Sequence, residues 1–158
     1  MLFDKGRNMR PYTVSFFGHR KIYDLQTIEE KLPRIISNIL CEHDCVEFLI
    51  GRQGEFDEYV ASVIKRELKK YEMCNATLVL VLPYVVADIE YYKKYYDDII
   101  VPECLDRIHP KAAAYAKNKH MIDLSDLVVV YVKEKGGAYQ ALKYAIKEGK
   151  KTVNVAIE

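Results

Sequence analysis

Apolar residues along this chain fall into short unbroken runs, separated by stretches in which they return every third or fourth position. The runs at 13–17, 46–50, 77–82, 127–132 and 152–157 predict strands, and a shorter one at 99–101 predicts another. The run 77–82 is nearly all aliphatic and ends at Pro83, which predicts a strand covered on both faces. Leu25, Ile28, Leu32, Ile35, Ile36, Ile39 and Leu40 follow helical spacing behind Asp24, an expected cap, and Pro33 is expected to kink that helix or shift its start. Further helices are predicted over 56–71, 88–98, 111–121 and 138–147, the last closed by Gly149.

Strands alternating with helices predict a single α/β domain: a Rossmann-like parallel sheet with helices on both faces, spanning 12–158 behind an N-terminal arm at 1–11. Right-handed crossovers bring all strand C-terminal ends to one edge, and ligands of such folds bind there, where the strand order reverses.

The 24 basic and 23 acidic residues leave a net charge of +1, so the domain as a whole carries no electrostatic footprint for nucleic acid. Basic clusters at 65–70 and 147–151 fit solvated helix faces or local patches. Cys41 and Cys45 lack the second close pair that a zinc site needs, so no metal is expected, and with Cys74 and Cys104 they read as reduced, buried thiols of a cytoplasmic protein. No signal peptide is expected, and no apolar run is long enough to cross a bilayer.

Three predicted strands end in glycine. Gly18 is followed by His19 and Arg20; Gly51 by Arg52, Gln53, Gly54, Glu55, Phe56 and Asp57; and the 127–132 strand by Gly136, Gly137 and Ala138. The predicted topology puts all three corners on one edge, where glycine permits tight turns and lets a ligand approach the backbone. Helix N-termini at the second and third corners suit phosphate, and Arg20 supplies a planar cation for it. His19 fits either a ligand contact or a satisfied, half-buried histidine, and Arg20 either the ligand or a surface pair with Asp24.

Together these corners resemble the SLOG superfamily, the Rossmann-like group that links the lonely-guy phosphoribohydrolases with the DNA-processing protein A family. The stretch Asn118-Lys119-His120-Met121-Ile122-Asp123 is similar to one found in its YpsA-like branch of bacterial and phage proteins. The resemblance implies a nucleotide or nucleotide-derived ligand in the crevice and, with the tyrosine-rich 91–96 segment, a homodimer. It does not extend to the lonely-guy catalytic stretch: at 135–142 the second glycine-threonine pair and the glutamate are missing.

Backbone N–H groups near Gly54 and Gly137 are therefore expected to hold phosphate, Asp57 or Asp123 to accept from ribose hydroxyls, and Phe56 or Tyr139 to pack on a base. Two alternatives stay open. One is a nucleotide hydrolase using Glu55, Asp57, Asp123 or Asp126; the other is a DNA-processing-related scaffold, which the net charge does not favour.

Overall fold

The computed structural model describes residues 10–71, 74–105 and 108–157. Of the expected arm, only Arg10 and Pro11 fall within them. The elements run β1 (Tyr12–Gly18), α1 (Leu25–Glu42), β2 (Cys45–Ile50), α2 (Glu55–Leu68), β3 (Asn75–Val81), α3 (Ile89–Lys93), β4 (Asp98–Ile100), a 3-10 turn (Glu103–Leu105), α4 (Pro110–Leu124), β5 (Leu127–Tyr131), α5 (Gly137–Lys147) and β6 (Lys151–Asn154).

All five strand pairings are parallel, and the sheet order is β4-β3-β2-β1-β5-β6. The chain moves outward from β1 through β2, β3 and β4, then returns to the other side of β1 for β5 and β6. The reversal lies between β1 and β5, where the crossovers leaving these two adjacent strands run in opposite directions and open a crevice.

Alternation along the strands divides the core in two. Val14 and Phe16 of β1, Phe48 and Ile50 of β2, and Val129 and Tyr131 of β5 face α1 and α2, meeting Ile28, Leu32, Ile36, Phe56, Val60 and Ile64. Phe17, Leu49, Val79, Val128 and Val130 face α4 and α5, meeting Met121, Ile122, Ala138, Ala141 and Ala145. Ser15 also points to the second face, where its buried hydroxyl bonds to Ser125 Oγ at 2.6 Å and so leaves no unmet polar group.

Several expectations change. Helix α1 runs without a break through Pro33. Asp24 stands at its N-cap but makes no side-chain cap, because its carboxylate is held by the Tyr131 hydroxyl and by Lys133 Nζ at 2.9 Å. Of the two readings of Arg20, the surface pair with Asp24 is not formed among the described residues, Asp24 being taken by these contacts. The helix expected over 88–98 contracts to five residues, since Asp98 already belongs to β4. The tyrosines there divide: Tyr96 packs on the core, while Tyr91 and Tyr95 are exposed. Cys41 is exposed, while Cys45 and Cys74 are half-buried free thiols. Gly149 does close α5, at φ +72°.

The end of β1 is fixed by its neighbour helix. Phe56, in the first turn of α2, is fully buried and stacks on Tyr131 with ring centroids 5.8 Å apart. A Cβ at Gly18 would lie 2.6 Å from Phe56 Cβ and still closer to its ring. Gly18 is thus needed for α2 to close on the sheet. Gly18→Ala is expected to destabilise the fold by about 1–3 kcal/mol through overpacking. A melting temperature equal to that of the parent chain would contradict this packing role.

Candidate functional site

The three glycine corners line one cleft of about 580 Å³ at the C-terminal ends of β1, β2 and β5. Of the residues singled out from sequence, Gly18, His19, Arg20, Gly51, Gln53, Asp57, Asn118, Gly136, Gly137 and Ala138 line it. The others do not. Phe56 is fully buried beneath the cleft and has no face to offer a base. Arg52 turns away, its guanidinium 3.1 Å from the Tyr92 hydroxyl. Glu55 accepts at 3.3 Å from the Ile22 N–H, tying the loop after β1 to α2. Gly54 lies under Arg20, outside the cleft wall. Tyr139 packs on the α5-side core. Asp123, near the C-terminal end of α4, accepts from the Tyr144 hydroxyl at 2.7 Å. Asp126 meets the start of β1 through the Thr13 N–H, at the opposite sheet edge.

The two helix N-termini at the cleft differ in kind. At α2, a Cβ on Gly54 would lie 2.9 Å from the Arg20 carbonyl oxygen and closer to Arg20 Cα; the same carbonyl accepts the Glu55 N–H at 2.8 Å. The Gln53 N–H goes to Asp57 Oδ2, also at 2.8 Å. Arg20 therefore crowds Gly54 and takes the Glu55 N–H, while the Phe56 and Asp57 N–H groups have no protein acceptor among the described residues; Gly54 serves close backbone packing. At α5, Gly136 occupies the N-cap at φ +151° with no side-chain cap. Beyond the adjoining residues and the helix's own backbone, no atom lies within 4 Å of where a Cβ on Gly136 or Gly137 would sit. The N–H groups of Gly137 and Ala138 have no protein acceptor among the described residues, and both residues line the cleft. Such a terminus carries a positive dipole end and unpaired donors suited to an anion.

His19 secures this corner. Its Nε2 accepts from the Lys133 N–H at 2.9 Å and the Glu134 N–H at 3.3 Å, and its ring meets Tyr131 edge-on. The hydrogen-bonded, half-buried histidine is formed, and the ring also lines the cleft.

The cleft floor holds two residues of opposite charge. Asp57 is 5% exposed and Lys117 2% exposed. Burial pushes the Asp57 carboxyl up to about 6, against the opposing pull of the Gln53 N–H and of Lys117. Burial pushes Lys117 down, with Asp57 opposing. Gly51 leaves room for both, since a Cβ there would lie 2.8 Å from Lys117 Nζ and 3.3 Å from Asp57 Oδ2. Lys117 escapes a sequence reading because α4 has little amphipathic contrast and nothing marks this lysine as turned inward. Tyr23 and Tyr115, 72% and 43% exposed, also line the cleft and offer the aromatic faces that Phe56 cannot. Lys21 and Lys111 add cationic side chains, and Glu134 an acidic one. Among the described residues, no three His, Cys, Asp or Glu side chains group as a metal site, and no helix is long and apolar enough to cross a membrane.

A carboxyl with a folded-state value near 6, above its ordinary 3.8, favours folding fully below about pH 4 and loses that contribution as the pH rises through 6. Asp57→Asn is therefore expected to be more stable than the parent at pH 7, by on the order of 1–3 kcal/mol, with the gap closing toward pH 4. Thermal melts from pH 4 to 8 check this; parallel profiles for the two proteins would contradict it.

No protein-family model matches the chain, and no curated protein matches its sequence. Solved structures do resemble it. The DNA processing protein A from Helicobacter pylori, described for its single-stranded DNA binding, superposes with a TM-score of 0.62 at 14% identity over 90% of this chain. The chain spans 64% of that protein's length. The molybdenum cofactor carrier protein from Chlamydomonas reinhardtii superposes with a TM-score of 0.55 at 17% identity, covering 92% of this chain and 76% of the other. The chain shares the Rossmann-like α/β fold of both proteins.

Proposed function

We propose that this chain binds a nucleotide or nucleotide-derived small molecule in the cleft between β1 and β5, with a phosphate on the N-terminus of α5. The observation that carries the reading is the open, uncapped turn at Gly136 and Gly137, with empty space above both glycines. Arg20 is exposed on the cleft wall and available to neutralise the phosphate, and Tyr115 or Tyr23 supplies a stacking face. The fold neighbours support a ligand of this class, one being described for DNA binding and the other for carrying a cofactor. The reading also assigns the chain to the SLOG superfamily and its YpsA-like branch, on the corner motifs. The proposed homodimer would use Tyr91 and Tyr95, the exposed members of the aromatic segment.

A second reading, hydrolysis of the bound nucleotide, is favoured by one observation. Of the four candidate carboxylates, Asp57 alone lines the cleft, and its raised value near 6 suits a general base at neutral pH. Product analysis after incubation with nucleoside monophosphates separates turnover from binding.

Calorimetry with the four ribonucleoside 5′-monophosphates tests the binding reading. At least one should bind the parent chain. Arg20→Ala should weaken it roughly ten- to a hundredfold, the loss of one charge-assisted hydrogen bond. Gly137→Ala should weaken it at an unchanged melting temperature, because the added methyl meets only the ligand's space. Undiminished affinity in both variants would remove the α5 terminus from the site.

A further inference from the structure

Lys117 carries a charge-bearing group into the cleft floor, yet makes no hydrogen bond or ion pair among the described residues. Its Nζ is not among the fully enclosed unpartnered atoms and so keeps a small opening onto the cleft; a largely desolvated ammonium with no protein partner at a cleft is a candidate contact for a ligand. Asp57 is the opposite charge at hand, but the two form no direct ion pair. Both crowd the bare side of Gly51, with Lys117 Nζ 2.8 Å and Asp57 Oδ2 3.3 Å from the point a Cβ there would occupy. They are thus separated by more than one hydrogen bond and by no more than about two hydrogen bonds end to end.

The chemistry of a group that fits this gap is constrained from both sides. An anion would satisfy Lys117 but be repelled by the Asp57 carboxylate, and a second cation would do the reverse. A hydroxyl satisfies both, donating its proton to Asp57 and accepting from Lys117. Two such bonds sharing one oxygen, roughly 2.7–3.0 Å each, span the separation. The cleft already offers the phosphate a different place, at α5. We propose that Lys117 and Asp57 together grip a ribose hydroxyl of the bound nucleotide, so that Lys117 is a specificity-determining residue separating ribonucleotides from their deoxy analogues. This rests on the nucleotide-binding reading.

The test is calorimetric titration of the full chain with the four ribonucleoside 5′-monophosphates and their 2′-deoxy and 3′-deoxy counterparts. The parent should bind a ribonucleotide about tenfold or more tightly than at least one of its deoxy forms, the effect of leaving two charged partners unmet. Lys117→Met, similar in length but uncharged, should weaken the ribonucleotide and leave that deoxy form within about twofold of its parent affinity, so that the preference collapses. Equal affinity of the parent for ribo and deoxy forms would overturn the proposal, as would an equal loss of both in Lys117→Met. If Lys117→Met fails to fold, Lys117→Gln replaces it, and the parent's ribo-to-deoxy ratio still decides. Failure of the underlying binding reading looks different: no monophosphate of either kind binds the parent, and both conclusions fall together.

Discussion

The closeness with which α2 approaches the ends of β1 and β2 sets everything else at this sheet edge. Phe56 is pressed onto the end of β1 where Gly18 has no side chain, and Gly54 lies against the Arg20 backbone. Tight packing of this kind leaves no slack, because protein interiors are packed like organic crystals. With Phe56 seated, Asp57 one residue later is carried under the cleft and desolvated, and Tyr131 is held between the Phe56 and His19 rings. Tyr131 and Lys133 in turn occupy Asp24 at the start of α1. One contact thereby links both sides of the topological switch point.

That contact also divides the labour between two helix termini that look alike in sequence. Both begin with glycine after a strand, yet at α2 Arg20 packs on Gly54 and takes the Glu55 N–H, while nothing packs on the glycines of α5. The open end, the Arg20 side chain and the Asp57–Lys117 floor surround one cleft from three directions. A cleft with donors at one end and opposed charges at its floor suits an elongated polar ligand with a phosphate at one end.

Much of the fold was legible because its signals are local. Unbroken aliphatic runs such as 77–82 and 127–132 mark strands buried on both faces, and the helical spacing behind Asp24 marks α1. The convergence of the glycine corners followed from topology alone. What escaped depends on contacts between distant segments. Gly18 and Gly54 read as ligand approaches, but their neighbours are Phe56 and Arg20. Asp123 shares a motif with Asn118, yet five residues along α4 carry it toward the opposite sheet edge, where Tyr144 takes it. Lys117 sits one position from a residue that was singled out, and only its burial against Gly51 distinguishes it from the surface lysines of α4.

The proposed anion site lies at α5, not at α2, where Arg20 packs over Gly54. Backbone amide NMR during titration with inorganic phosphate measures this directly. The largest shifts are expected at Gly137 and Ala138, with the Glu55 amide unmoved because the Arg20 carbonyl already holds it. Shifts centred on Gly54 and Glu55, with residues 136–138 silent, would contradict it.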